Sequence, residues 1–162
     1  VATALFPGSF DPPTNGHVNI LARAASIFDH VHVVIAANPS KGYTFTTEER
    51  VVMMTKLASE YGNASVHTWD SLIVDFAREV GARVMVRGVR ALSDFAYEFE
   101  LSMMNRGLNP EVETLLLPTE ADYFVLRSSA IKELARLGGD VSGMVPTVVA
   151  DMLSRKMAEV GK

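Results

Sequence analysis

Apolar positions along the chain follow two alternating patterns. Short, nearly continuous apolar runs predict buried strands at Ala2–Phe6, Val31–Ala37, Ser65–Thr68, Val84–Val86 and Glu113–Leu117. Between them the apolar positions recur at helical spacing. Asn15–Phe28 places Val18, Leu21, Ala22, Ala25 and Phe28 on one face. Thr46-Thr47-Glu48-Glu49 spells a capping box that opens a helix running to about Glu60. Further helices are expected at Ser71–Val80, ended by Gly81, and at Asp94–Arg106, closed by Gly107. Ser128–Leu137 is stopped by Gly138-Gly139, and Pro146, at a first helical position, opens a last helix to about Ala158.

Strands that alternate with helices imply an α/β fold: a single doubly wound parallel sheet, five-stranded, with helices on both faces. No linker, repeat or low-complexity tract interrupts the 162 residues, so one domain over 1–162 is expected. Right-handed crossovers bring every strand's C-terminal end to one edge, and ligands of such folds bind there, where the strand order reverses. Three predicted strands are followed by polar segments of the kind a ligand needs: Pro7-Gly8-Ser9-Phe10, Asn38-Pro39-Ser40-Lys41 and Arg87-Gly88-Val89-Arg90.

Charge narrows the partners. Fifteen Lys and Arg against nineteen Asp and Glu leave a net charge of −4, which does not suggest a nucleic-acid surface but permits a local basic pocket. The absence of cysteine excludes disulfides, thiol catalysis and thiolate metal sites. Val1–Leu5 shows no basic flank before a long apolar run, and no run approaches the ~20 residues of a membrane span. The expectation is a cytoplasmic protein with no membrane partner.

The first loop carries the most chemistry. It ends in Thr14-Asn15-Gly16-His17 at a helix start, where free amides and the helix dipole favour phosphate. Asp11-Pro12-Pro13-Thr14 also reads as an ordinary turn, with Thr14 or Asn15 as N-cap. His17 adds a donor in the first helical turn that could reach a phosphate oxygen. Lys41 reads either as a solvated lysine or as a phosphate ligand, and Arg87 and Arg90 as surface ion pairs or as forks for phosphate. His30, His32 and His67 lack metal-like spacing and read as structural or surface residues.

Pro-Gly-Ser-Phe-Asp-Pro-Pro-Thr-Asn-Gly-His at 7–17 resembles the (H/T)-x-G-H motif of the nucleotidyltransferase superfamily. The Thr form of the motif is similar to that of the bacterial phosphopantetheine adenylyltransferase family. The resemblance continues in order through Asn38–Lys41, Phe45–Arg50, Arg87–Arg90, Asp94–Glu98, Met104-Asn105 and Gly138–Val141. It implies a Rossmann-like nucleotidyltransferase fold and the transfer of adenylyl from ATP to 4′-phosphopantetheine. The products would be dephospho-coenzyme A and pyrophosphate, formed with Mg²⁺ by direct in-line attack on the α-phosphorus. It further implies a homohexamer and feedback binding of coenzyme A.

The resemblance assigns roles by position. His17, Lys41 and Arg90 would be catalytic. Ser9, Phe10, His17, Gly88, Val89, Arg90, Glu98 and the run Tyr123, Phe124, Val125, Leu126, Arg127, Ser128 and Ser129 would meet ATP. Ser9, Lys41, Ile73 and Arg87 would meet phosphopantetheine. No metal ligand is assigned. Glu98 reads equally as the partner of a nearby arginine, and Met103 and Met104 as packing residues in a helix or subunit contact. The family usually has Ser where this chain has Arg127, while Ser128 and Ser129 remain to cap a helix and to donate to phosphate. Three other readings fit parts of the pattern. A sister cytidylyl- or nicotinamide mononucleotide adenylyltransferase would more commonly carry His at position 14. A non-catalytic nucleotide-binding domain would be expected to lack the cations, and a flavoprotein-like carrier to hold a coloured cofactor.

Overall fold

The structure, a computed structural model, describes residues 2–124 and 126–161. Five parallel strands form one sheet: β1 (Thr3–Gly8), β2 (His30–Ala36), β3 (Ala64–Trp69), β4 (Val84–Val89) and β5 (Glu113–Pro118), in the order β3-β2-β1-β4-β5. The helices are α1 (Asn15–Ile27), α2 (Thr47–Ala58), α3 (Ile73–Val80), α4 (Leu92–Leu108), α5 (Ser128–Arg136) and α6 (Thr147–Val160). A single 3₁₀ turn covers Ala121–Tyr123.

Apolar side chains leave both faces of the sheet. On one face Phe6, Val31, Val33 and Ile35 pack with Ile20 and Leu21 of α1, Met53 and Met54 of α2, and Leu153 of α6. On the other, Leu5, Val34 and Met85 pack with Phe76 and Ala77 of α3. Burial on both sides explains why the central strands read as unbroken apolar runs. The chain moves outward from β1 to β3 and then crosses back to β4 on the other side of β1. The strand order therefore reverses between β1 and β4, the usual place of a ligand crevice.

Several boundaries differ from the sequence expectation. β4 does not stop at Val86: Arg87, Gly88 and Val89 pair with Leu116, Leu117 and Pro118 of β5, so these residues are strand and only Arg90 follows it. Gly88 permits this because Ile20 packs onto it; a Cβ there would lie 3.2 Å from Ile20 Cγ1. Gly107 does not close α4. It lies inside the helix, which runs to Leu108 and is capped at Asn109, whose N–H donates to Asn105 O at 2.8 Å. Helix α3 begins at Ile73, with Leu72 as its N-cap, and Pro146 is the N-cap of α6, not its first residue. Gly81 ends α3 as expected, in the left-handed conformation at φ 69°.

Candidate functional site

A cleft of about 440 Å³ opens at the C-terminal ends of β1 and β4. Its walls come from Pro7 and Gly8 at the end of β1 and Ser9 after it, Gly16 and His17 of α1, Arg87 and Gly88 of β4 with Arg90 after it, and Leu126–Ser129 leading into α5. The structure thus brings together segments up to 120 residues apart that the sequence assigned to one nucleotide site.

His17 is held by a reciprocal cap. Its backbone N–H donates to Thr14 Oγ1 at 3.3 Å, and Thr14 N–H donates to His17 Nδ1 at 3.0 Å. The second bond gives Nδ1 the acceptor role, so a neutral imidazole carries its proton on Nε2. Burial, then the charges of Arg90 and Arg87, lower the pKa of His17 from 6.5 to about 4. At neutral pH it is a fixed, uncharged N–H donor. The helix start is less open than the sequence suggested. Asn15 N–H donates to Met144 O at 3.0 Å and His17 N–H is taken by Thr14, which leaves the Gly16 amide unpartnered among the described residues.

Each arginine is oriented by a carboxylate of α4. Arg87 donates from Nε and Nη2 to the two oxygens of Glu98, at 2.8 and 2.7 Å, and from Nη1 to Pro7 O. Arg90 donates from Nε and from its backbone N–H to Asp94 Oδ2, each at 3.1 Å, and from Nη1 to Leu126 O at 3.0 Å. Its Nη2 has no partner among the described residues. Glu98 is nearly buried, lines the cleft and has both its oxygens engaged by Arg87. Asp94 was not singled out from sequence, although its position four residues after Arg90 was a usable signal.

The remaining assigned residues divide. Ser9 Oγ accepts from Lys41 Nζ at 3.2 Å, which joins the β1 and β2 loops; Lys41 is otherwise exposed and lies beside the cleft. Phe10 has a positive φ of 47° and a buried ring, edge-on to Phe6 and His17 at 5.3 and 5.0 Å. Its ring also fills the space that a side chain on Gly8 would need, so any nucleotide contact falls to its backbone. Ile73 and Arg87 line a second, narrower cavity of about 160 Å³, which shares Pro7, Arg87 and Glu98 with the main cleft. Leu126, Arg127, Ser128 and Ser129 line the main cleft; Tyr123, Phe124 and Val89 do not, and Val125 lies outside the described residues. The expected serine cap of α5 is not formed. Arg127 is the N-cap, without a side-chain bond, and Ser128 Oγ donates to Pro12 O at 2.8 Å. Arg127 Nη2 stands 3.9 Å from Asp94 Oδ1.

His30, His32 and His67 do not line this cleft, and of the structural and surface readings the structural one fits them. Their rings share one sheet face with Ser65, whose Oγ is 2.8 to 3.2 Å from a nitrogen of each. Met103 and Met104 are more than half exposed on α4. Among the described residues no group of three or more His, Cys, Asp or Glu is arranged to hold a metal ion. No helix among them is long and apolar enough to cross a membrane.

The Cytidylyltransferase-like family profile matches residues 5–134. The chain is 46% identical over 159 residues to the phosphopantetheine adenylyltransferase of Desulfatibacillum aliphaticivorans, covering 98% of this chain and 91% of that protein. It is 47% identical over 152 residues to the enzyme of the same name from Alkaliphilus metalliredigens, covering 94% and 97%. In fold it is similar to the nicotinic acid mononucleotide adenylyltransferase of Plasmodium falciparum, with a TM-score of 0.67, 13% identity, and coverage of 99% of this chain and 96% of that one.

Proposed function

Since the chain belongs to the phosphopantetheine adenylyltransferase family of the cytidylyltransferase-like proteins, we propose that its β1–β4 cleft transfers adenylyl from ATP to 4′-phosphopantetheine by direct in-line displacement. A phosphate oxygen of the acceptor forms the new bond to the α-phosphorus. The bond from that phosphorus to the bridging oxygen breaks, and pyrophosphate leaves. No enzyme nucleophile is needed, and the chain has no cysteine to serve as one. The requirement is alignment and the stabilisation of charge spread over the phosphoryl oxygens.

The observation that carries this reading is the fixed Nε2–H of His17 beside two carboxylate-held arginines. The ATP phosphates occupy the cleft between the α1 start and the β4 end. His17 Nε2–H and the Nη2 of Arg90, unpartnered among the described residues, donate to phosphoryl oxygens, and the Gly16 amide adds a donor at the positive end of α1. Gly88 offers its backbone to that wall of the cleft, with Ile20 packed in the place of a side chain. Lys41, tethered at Ser9, meets the acceptor phosphate. The pantetheine arm runs into the narrower cavity past Arg87 and Ile73. Arg127, on the cleft rim and near Asp94, adds an exposed cation on the triphosphate side; Arg127→Ser keeps activity and changes the ATP KM.

Mg²⁺ bound with the nucleotide would neutralise charge on the triphosphate. The cleft carboxylates Asp94 and Glu98 are engaged by Arg90 and Arg87, so triphosphate oxygens and water would supply most of its shell, as is common for this ion. Coenzyme A, which combines the nucleotide and pantetheine parts, occupies the same two cavities as a feedback ligand. The homohexamer draws support from the apolar residues that α4 leaves uncovered, among them Leu92, Phe99, Met103 and Leu108. The cytoplasm is the compartment in which ATP is available to it.

Pyrophosphate release with ATP and 4′-phosphopantetheine, against nicotinamide mononucleotide as alternative acceptor, tests the reading. His17→Ala should lower kcat by about 10²-fold or more with a smaller change in ATP affinity. A variant that binds ATP and turns over normally would sink the mechanism.

A further inference from the structure

Behind the cleft lies a charge that the mechanism above does not use. Arg50 of α2 is 0% exposed. Its Nη1 donates to two backbone carbonyls, Ser9 O at 2.8 Å and Ala36 O at 2.7 Å, and Nη2 donates to Thr47 Oγ1 at 3.3 Å. Its guanidinium carbon lies 3.9 Å from the centre of the Tyr43 ring. No carboxylate pairs with it among the described residues, and Nε has no partner. A buried cation without an anion is costly, and an apolar side chain would fill the same space without that penalty.

The two carbonyls suggest what offsets the cost. Ser9 belongs to the loop leaving β1, and Ala36 ends β2, immediately before the loop that carries Lys41. One guanidinium thus ties the exits of both strands together. Asp11 ties the far end of the same loop: its carboxylate accepts from Thr44 N–H at 2.9 Å, Phe45 N–H at 2.8 Å and Lys132 Nζ at 3.1 Å. The β2–α2 loop is therefore clamped at its root and at its return. The exposed stretch between the clamps, 38–42, holds Lys41 against Ser9 Oγ.

We propose that Arg50 is a positioning residue for adenylyl transfer, whose Nη1, shared by Ser9 O and Ala36 O, sets the separation of the two strand ends and so the place where Lys41 meets the acceptor phosphate. The inference rests on the assignment of Lys41 to the phosphates made above. Arg50 itself does not line the cleft and touches no substrate. Lysine at this position would keep the charge and one nitrogen for the two carbonyls, yet it loses the Nη2 bond to Thr47 and the planar stack on Tyr43 that fix where that nitrogen sits. Displacing a reacting group by about 1 Å can cost on the order of 10²-fold in rate.

A double-mutant cycle tests this, with kcat measured at a temperature where thermal melts show every variant folded. Arg50→Lys should lower kcat by roughly 10-fold or more while the KM for ATP stays within about 3-fold. In the Lys41→Ala background the same substitution should cost less than about 2-fold, because the group it positions is gone. Losses that multiply, or a lowered Tm with unchanged kcat, overturn the proposal and leave Lys41 in its role. A Lys41→Ala single variant with normal kcat overturns the Lys41 assignment itself, and this inference with it. If Arg50→Lys does not fold, Thr47→Val removes the hydroxyl that accepts from Arg50 Nη2 at 3.3 Å. Its smaller loss of kcat should likewise vanish without Lys41, and a multiplicative loss overturns the proposal.

Discussion

The protonation state of His17 can be tested without any substitution in the site. Burial is the larger reason that its pKa falls to about 4, and the facing charges of Arg90 and Arg87 add to it. At ~1.4 kcal/mol per pKa unit, a fall from 6.5 to about 4 makes protonating this ring in the folded protein harder by roughly 3 kcal/mol than in the unfolded chain. The sign follows from proton counting. Between pH 6.5 and 4 the unfolded chain binds the proton and the folded one does not, so acid favours unfolding. This contribution is fully present above pH 6.5 and is lost as pH falls toward 4. An NMR titration of the imidazole C–H signals should place the His17 midpoint near 4. Its ¹⁵N shifts should report an acceptor Nδ1 and a protonated Nε2, as the Thr14 N–H bond requires. Arg90→Gln should raise the midpoint without restoring 6.5, because burial remains. A midpoint near 6.5, or a proton on Nδ1, would refute both the electrostatic account and the donor role given to Nε2.

Two further expectations concern other ionisable groups. Glu98→Gln removes one arm of the Arg87 fork in a nearly buried place, at a cost of about 1–3 kcal/mol; thermal melts should show the lower Tm, and the acceptor KM should rise more than the ATP KM. An unchanged Tm would mean that Arg87 is oriented by Pro7 alone. His32 has a pKa lowered to about 4, by burial first and then by His30 and His67, and His67 is lowered as well. Stability should therefore decline further as pH falls through 6.5 toward 4, and urea titrations of His32→Gln should show a shallower decline; an identical slope would refute the role of this imidazole cluster.

Much of the architecture was legible along the chain because it depends on local signals. Apolar runs marked all five strands, the Thr46–Glu49 capping box formed as spelled, and Gly81 ended its helix. The alternation of strands and helices also implied the edge at which Ser9, His17, Lys41, Arg87 and Arg90 gather, since crossover handedness follows from chain chirality. The extent of β4 was less legible. Arg87-Gly88-Val89-Arg90 looks like a loop until β5 supplies the hydrogen bonds that keep its first three residues extended.

Which partner each charged group meets was decided only in three dimensions. Glu98 could read as a nucleotide ligand or as an arginine partner; α4, packed beside β4, puts its carboxylate on Arg87 and keeps it in the cleft lining. Phe10 reads as a loop residue open to ligand, yet its backbone turns the ring into the core beneath Gly8. Arg50 and Asp11 carry no local signal of their task, because their partners lie 41 and 14 residues away for Arg50, and 33, 34 and 121 for Asp11. Periodicity and capping act within a few residues and can be read in one dimension. Which carbonyl meets which buried charge depends on the order in which strands enter the sheet, and that order exists only once the chain has folded.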